Sequence, residues 1–197
     1  MPVNEAPTLE QQTRLLHHLD ANPAITEILR RTAQLVLPNW YLGAGCIPHT
    51  VWNALHGFAP TAHIRDYDLT YFDASDLSYE AEDERIRAAA RLFGDLGVTV
   101  EVRNQARVHL WYQQHFGYAI EPYRSVEEAI ATWPTTATAV GVRSESGQLR
   151  IHAPFGLDDV FNCVARPNCA QVTREIYEAK VSRWKRCWPQ LTVIAWS

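Results

Sequence analysis

Two aspartates separated by one residue are the strongest chemical signal in the chain. Asp66 and Asp68 belong to the segment RDYDLTYF, residues 65–72, which otherwise has the composition of a β-strand. Because side chains alternate along a strand, both acids project from one face, and only Arg65 is close enough in sequence to offset their charge. Carboxylate oxygens are the ligands that magnesium prefers. The pair is therefore the first candidate for a metal site.

A turn of small residues precedes this motif. Gly43, Ala44 and Gly45 lie between a short predicted strand and a helix predicted over residues 47–55. Residues without bulky side chains let the backbone approach a ligand, and the amides at a helix start favour an anion. A phosphate group suits both properties, although glycines at such turns also serve geometry alone. A short connection can place the turn and the aspartates side by side in one sheet.

A third carboxylate can complete a magnesium site. The segment VTVEV, residues 98–102, alternates like a strand, and Glu101 lies in its polar set. Glu101 is the first candidate for the third ligand, and Asp73 is its rival. The spacing of Asp73 from the aspartate pair is odd, so an ideal strand directs it to the other face. An exposed Glu101 paired with Arg103 is the simpler alternative.

Polar residues also follow the Glu101 strand. Asn104 and Arg107 can reach toward a ligand, and the planar guanidinium of Arg107 binds phosphate oxygens in pairs. Alternatively, these residues cap and decorate the helix that follows.

Composition and charge limit the class of protein. The chain has 197 residues, of which 47% are hydrophobic and 20% charged, as expected for a single domain over residues 1–197. A net charge of -4 provides no basic field, which argues against a nucleic-acid substrate. The start shows no signal-peptide pattern and no apolar run is long enough to span a membrane, so we expect a cytoplasmic protein without membrane association. The four cysteines show no zinc or redox spacing.

Helical and strand patterns alternate along the chain before a predicted hairpin. Helices are predicted to about residue 20, from Pro23 to Pro38, over 47–55, from Asp76 or Ser78 to about 96, over 106–116, after Ser125 and over 171–187. Strands are predicted over residues 40–42, 64–72, 98–102, 138–142 and 148–152, the last two joined by the turn 144–147. This order predicts an α+β (mixed α/β) fold, in which helices cover a mixed sheet and both ends of the chain are helical.

The motifs together resemble a known superfamily. The order GAGC (43–46), VWNALHG (51–57) and RDYD (65–68) is similar to the glycine turn, helix and D-x-D motif of the DNA polymerase beta superfamily of nucleotidyltransferases. Its spacing resembles the head-domain motif of tRNA nucleotidyltransferases and poly(A) polymerases. The blocks 101–109 and 153–159 look like those of a bacterial nucleotidyltransferase-like family, and this resemblance covers about residues 25–190. The superfamily usually has glycine followed by glycine or serine in the turn, whereas here an alanine lies between two glycines.

The resemblance implies an enzyme that transfers a nucleoside monophosphate from a nucleoside triphosphate, such as ATP, to a hydroxyl group and releases pyrophosphate. The acceptor would be a small molecule or a protein, and no residue run specifies the acceptor, the base or the oligomeric state. Magnesium, as one or two ions, would be the cofactor. The residues implied as catalytic metal ligands are Asp66, Asp68 and Glu101. The residues expected to bind the nucleotide are Gly43, Ala44, Gly45, Arg65, Asn104 and Arg107.

Two other functions remain open at this point. The altered turn makes possible a catalytically inactive protein of the same fold that senses nucleotides or binds a partner. The basic, tryptophan-bearing helix near the end of the chain, with Trp184, Lys185, Arg186 and Trp188, raises the weaker possibility of an RNA-modifying transferase.

Overall fold

The computed structural model describes residues 6–145 and 147–197. Its α-helices are α1 (Leu9–Asp20), α2 (Pro23–Arg31), α3 (Cys46–Leu55), α4 (Tyr79–Phe93), α5 (Val108–Phe116), α6 (Val126–Ile130), α7 (Asp158–Phe161) and α8 (Arg174–Cys187). Its strands are β1 (Tyr41–Gly43), β2 (Tyr67–Tyr71), β3 (Val100–Asn104), β4 (Gly141–Glu145), β5 (Gln148–His152), β6 (Val164–Ala165) and β7 (Thr192–Val193). Short 3-10 helices follow α2 and α4 and precede α5.

Five strands form one mixed sheet in the order β3-β2-β1-β4-β5. Strand β1 is antiparallel to β2 and β4, the hairpin β4-β5 is antiparallel, and β2 and β3 are parallel. A parallel pair needs a crossover connection, and α4 provides it between β2 and β3. The mixed sheet with helical segments at both ends confirms the predicted α+β class. A small parallel sheet of β6 and β7 was not predicted.

Side-chain caps begin several helices where the sequence indicated. Thr8 forms the predicted capping box of α1, and Asn22 accepts hydrogen bonds from the first amides of α2. Ser78 caps α4, while the Asp76 carboxylate accepts a hydrogen bond from the Ser78 amide. Ser125 caps α6. These starts could be predicted because a cap depends only on a few neighbouring residues. In the described part of the chain, no helix has both the length and the apolar character that a membrane crossing requires.

The ends of other elements differ from the prediction. Helix α2 ends at Arg31 and continues as a 3-10 helix only to Leu35, because Val36 adopts a left-handed φ of 50°. Strand β3 is shifted toward the carboxyl end because its limits follow its pairing with β2, from Tyr67 with Val100 onward. Register depends on contacts between distant segments, so local alternation does not fix it. Of the predicted hairpin turn, Ser146 lies outside the described residues.

The central strands bury one face in the main core. Leu42, Leu69 and Val102 lie side by side across β1, β2 and β3, and each is at most 3% exposed. Burial of these side chains and of Trp52 in α3 anchors the sheet to the helices. The opposite face of the same strands is left to carry polar groups.

Candidate active site

The acidic residues form a row on that opposite face, beside the small-residue turn. Gly43 in β1 pairs with Asp68 in β2, and Asp68 pairs with Glu101 in β3. Directly paired residues project to the same side of a sheet. Asp66 immediately precedes β2 and lines the same cavity as Asp68. The structure therefore brings together the turn and the three acids that the sequence singled out.

Asp68 lies in an environment that is unfavourable for an unpartnered carboxylate. Burial, followed by the negative charges of Asp66 and Glu101, raises the pKa of the Asp68 carboxyl to about 7, against smaller opposing effects of Lys180 and Arg103. A bound cation would relieve this repulsion, since an opposite charge favours the ionised form. All three acids offer oxygen ligands, which is the donor chemistry that magnesium requires. In their donor chemistry, the acids present therefore fit the ion that the resemblance implies.

The third acid does not complete a ready-made ligand group. Within the described residues, no three histidine, cysteine or carboxylate side chains are arranged so that they could hold a metal ion. The Glu101 side chain is 43% exposed and lies 3.9 Å from the Arg103 guanidinium. The rival Asp73 lies beyond β2, where its carboxylate accepts a hydrogen bond from the Ser75 amide at 2.9 Å. Hydrogen bonds from Ser75 lower the pKa of Asp73. The register position next to Asp68 thus belongs to Glu101.

Close contacts explain the two glycines of the turn. A Cβ atom on Gly43 would lie 2.6 Å from the Val140 carbonyl oxygen and 2.9 Å from the Trp133 ring. A Cβ atom on Gly45 would lie 2.8 Å from Cε1 of His49. Both distances are shorter than normal contacts, so a larger residue at either position would displace the backbone or the cavity wall.

Ala44 adopts the backbone conformation that glycine favours. Its φ of 58° is left-handed, which costs a residue with a Cβ about 1–2 kcal/mol. The Ala44 amide donates a hydrogen bond to the Val140 carbonyl oxygen at 3.1 Å, so this amide is already occupied. Helix α3 begins at Cys46, but its first turn offers few free amides: Pro48 has no amide proton, and the Ile47 and His49 amides donate to the Ala44 and Gly45 carbonyl oxygens at 3.4 and 3.0 Å.

Two cations that the sequence did not single out line the opposite wall. Lys180 and Arg183 in α8 share a cavity of about 170 Å³ with the turn and both aspartates. Burial, followed by the charge of Arg183, lowers the pKa of Lys180, and burial followed by the charge of Arg65 lowers the pKa of Arg183. The exposed Arg65 is thereby placed beside the same cavity. Residues three apart on a helix share one face, which is the signal that could have identified the pair.

The cations and the aspartates face each other without pairing. Among the ion pairs shorter than 4 Å in residues 6–145 and 147–197, none contains Lys180, Arg183, Asp66 or Asp68. All four residues are partly buried, and charges that are partly removed from water are normally paired or bound to an ion, because the removal is costly. The cavity therefore has the charge distribution of a site for a ligand that carries both signs, such as a magnesium–phosphate group.

Two buried nitrogen atoms on the cavity wall have no hydrogen-bond partner in the described part of the chain. They are Nε2 of His49, which is 6% exposed, and Nε1 of Trp184, which is 3% exposed. Burial, followed by the charges of Arg183 and Lys180, lowers the pKa of His49 to about 3, so its imidazole is neutral at physiological pH. The Trp184 indole nitrogen is always a donor, and leaving a buried donor without an acceptor costs about 1–3 kcal/mol, which an oxygen of a bound ligand would recover.

Two predicted nucleotide-binding residues lie away from the cavity. The Asn104 side chain accepts a hydrogen bond from the Ala106 amide at 3.1 Å and donates one to the Asp73 carbonyl oxygen at 2.8 Å. Arg107 is buried and forms an ion pair with Glu82. Asn104 caps the helical segment that follows, which was the alternative that the sequence left open, whereas the Arg107 side chain binds Glu82 in α4 and donates to the Leu77 carbonyl oxygen.

Comparison with known proteins places this fold in one class. A solved structure described as "The NMR structure of the protein reveals a CCA-adding enzyme head domain" matches with a TM-score of 0.77 and 26% sequence identity. The match covers 96% of this chain and 98% of that chain, so the fold is that of a nucleotidyltransferase head domain.

The sequence comparison leads to the same class. Residues 30–193 match the family described as Nucleotidyltransferase, and the chain belongs to this family. Membership confirms the resemblance found in the motifs and supports nucleotidyl transfer as the general activity. No curated protein matches the chain.

Proposed function

We propose that this protein transfers a nucleoside monophosphate from a nucleoside triphosphate to a hydroxyl group and releases pyrophosphate. The observation that carries the proposal is the cavity in which two aspartates face Lys180 and Arg183 without pairing. The phosphates of a nucleotide satisfy the cations, while a metal ion on those phosphates satisfies the aspartates. A single metal-bound nucleotide would thus neutralise the charges of both the cations and the aspartates.

The acids have separate roles in this proposal. Asp66 and Asp68, joined by Glu101, would hold one or two magnesium ions, which supply charge neutralisation and lower the proton affinity of the attacking hydroxyl. Glu101 lies at the end of the row of acids, and its side chain is 43% exposed. Its carboxylate can accept the proton of the attacking hydroxyl there. The pairing of Asp68 with Glu101 across β2 and β3 supports these roles, because it puts the proton acceptor next to a metal ligand.

The opposite wall would hold the triphosphate. Lys180 and Arg183 provide charge-assisted hydrogen bonds to phosphate oxygens, and Arg65 adds positive charge at the rim. The unpartnered nitrogen atoms of His49 and Trp184 are suited to contact oxygens deeper in the cavity. Ala44 and Gly45 line the cavity and Gly43 precedes them, so the backbone of this turn would lie against the phosphates.

The test is pyrophosphate release with each of the four nucleoside triphosphates, magnesium and a panel of hydroxyl acceptors. We expect Asp66→Asn and Asp68→Asn to abolish release, since each removes a charged ligand. Asp73→Asn is the matched control because Asp73 is a nearby acid outside the cavity, and it should retain activity. Full activity in the Asp66→Asn/Asp68→Asn double variant would disprove the assignment of the metal site.

A second candidate is a nucleotide-binding protein without turnover. Two observations favour it: the amide of Ala44 is occupied by Val140, and no three-ligand group is formed among the described residues. Calorimetry separates the two functions. Binding of a triphosphate with no pyrophosphate release across the acceptor panel would support the sensor, whereas magnesium-dependent release would support the enzyme.

A further inference from the structure

A second cavity lies beside the cleft, on the side of β3. It has a volume of about 420 Å³ and is lined by α5, by the segment that follows α6 and by the first half of α8. Five aromatic rings contribute to its wall, those of Trp111, Tyr112, Phe116, Tyr123 and Trp133. Cavities of this size bind small organic molecules, and aromatic walls favour planar rings that can stack on them. We call this space the aromatic cavity.

The aromatic cavity adjoins the phosphate-binding cleft. Trp133, Pro134 and Lys180 line both spaces. Arg103 lines the aromatic cavity and lies two residues after Glu101 on the same face of β3. The aromatic cavity therefore begins where the row of acids ends.

The chemistry of the proposed reaction determines where the acceptor must lie relative to the departing phosphates. The acceptor oxygen forms a bond to the α-phosphorus, and the bond from that phosphorus to the bridging oxygen of the β-phosphate breaks. Pyrophosphate leaves with the electron pair, and the hydroxyl proton passes to a carboxylate. The attacking and leaving oxygens lie on opposite sides of the phosphorus.

The sheet register fixes which side belongs to the acceptor. The small-residue turn and Glu101 flank Asp68 on opposite sides. If the departing phosphates lie at the turn, the hydroxyl must approach from the Glu101 side, which is the side of the aromatic cavity.

We propose that the aromatic cavity binds the acceptor, and that the acceptor is a small molecule in which the hydroxyl group is attached to, or next to, a planar aromatic ring. This inference rests on the proposed function, since it assigns the second substrate of the same site. The Tyr123 hydroxyl is held by Thr132 at 3.0 Å and by Gln171 at 2.8 Å, so the ring is fixed in place before any ligand binds. Fixed rings bind a planar ligand with little loss of side-chain entropy. The chain's net charge of -4 argues against the 3′ end of an RNA as the occupant.

The experiment measures binding rather than turnover. Tyramine, 4-hydroxybenzyl alcohol and adenosine serve as aromatic probes, and glycerol and ribose serve as aliphatic hydroxyl controls. Each is titrated by ligand-observed NMR into the full chain, with and without magnesium and a nonhydrolysable ATP analogue. We expect at least one aromatic probe to bind together with the analogue, and the aliphatic controls to bind at least about 10-fold more weakly, since stacking on aromatic rings is lost.

A matched pair of variants locates the binding. Trp111→Ala removes a ring from the cavity wall and should weaken the aromatic probe about 10-fold. Leu110→Ala changes an exposed neighbour on α5 that does not line the cavity, and should leave the affinity unchanged. Both variants should bind the ATP analogue like the unmodified chain.

Three results would overturn the inference. They are aromatic probes that bind no better than the aliphatic controls, displacement of the probe by the ATP analogue, and displacement of the probe by a short RNA at low concentration. Displacement by the analogue would assign the cavity to the nucleobase instead. Failure of the ATP analogue to bind the unmodified chain would contradict the proposed function, which makes the two failures distinguishable.

Discussion

Strand β3 lies beside two carboxylates, the buried Glu82 and the partly buried Asp68, whose surroundings are opposite. Glu82 accepts a hydrogen bond from the Asn104 amide at 2.8 Å and forms an ion pair with Arg107, so its charge is satisfied within the fold. Asp68 has like charges as its neighbours, and the cations that face it do not pair with it. The Glu82 cluster (Glu82, Asn104 and Arg107) thus stabilises the fold. The charges of the Asp68 cluster (Asp66, Asp68, Glu101, Lys180 and Arg183) are balanced only when a ligand binds.

This difference separates residues that look alike in the sequence. Arg107 and Lys180 are both cations near an acid, yet only Lys180 lines the cleft. Changes on the Asp68 side should therefore alter activity and ligand binding at little expense to stability. Changes in the Glu82 cluster should lower stability and have little effect on activity and ligand binding.

The largest expected effect is on catalysis, in Asp68→Asn. Loss of this carboxylate should lower magnesium-dependent pyrophosphate release by about 10³-fold or more, since metal-ion stabilisation of the transition state contributes several kcal/mol. Without divalent cations, the free energy of unfolding at pH 8 should be unchanged or higher, because the variant removes like-charge repulsion. Stopped-assay kinetics and urea unfolding check the two outcomes.

The same variant gives a test in the pH dependence of stability. The folded-state pKa of Asp68 is about 7, well above the usual carboxyl value near 4. The folded state therefore binds this proton more tightly, and the associated stability is present below about pH 4 and is lost as the pH rises toward 7. Asp68→Asn should lack this decline in metal-free urea titrations. An equal decline in both proteins would contradict the proposed environment of Asp68.

The next effect is on stability, in Arg107→Met. Removing one partner of a buried ion pair leaves Glu82 uncompensated and should lower the free energy of unfolding by about 3–5 kcal/mol. Below the unfolding temperature, nucleotide affinity should be retained because Arg107 lies away from the cleft. An Arg107→Met variant that is stable but no longer binds nucleotide would show that Arg107 belongs to the nucleotide site. The two clusters would then not differ in function.

A smaller effect is expected in Arg183→Met. Loss of a charge-assisted hydrogen bond, about 1.5–3 kcal/mol, should weaken triphosphate binding by roughly 10- to 150-fold, as measured by calorimetry. Arg186→Met is the control, since Arg186 is an exposed cation on the same helix and does not line the cavity. Equal losses in both variants would mean that the helix acts only through its overall charge.

The sequence predicted the features of the fold that depend on local signals. Capping residues such as Ser78 and the alternation around Asp68 identified helices, strands and the face of the acids. The limits of β3 and the existence of β6 and β7 depend on pairing between distant segments, which no local pattern encodes. The mixed sheet was predictable, but its register was not.

The candidate site was predictable only in part for the same reason. The turn and the acids lie within a short region whose spacing resembles a known motif. Lys180 and Arg183 come from the end of the chain, and they reach the cleft only because α8 packs across it. Conversely, the cationic character of Arg107 suggested phosphate binding, whereas its burial beside Glu82 assigns it to the fold.

The smallest expected effect concerns strain in the turn beside Asp68. Ala44 has a left-handed φ, and Ala44→Gly would remove its strain of about 1–2 kcal/mol while adding about 0.5–1 kcal/mol of entropy loss on folding. The net gain should be about 0.5–1 kcal/mol, or an increase in melting temperature of about 1–4 °C, measured by scanning calorimetry. Ala54→Gly is the control in ordinary helical backbone, where the change should destabilise by about 1 kcal/mol. Because the Val140 hydrogen bond uses the backbone amide, Ala44→Gly should keep it and retain nucleotide binding. A loss of stability equal to that of Ala54→Gly would show that the turn is not strained.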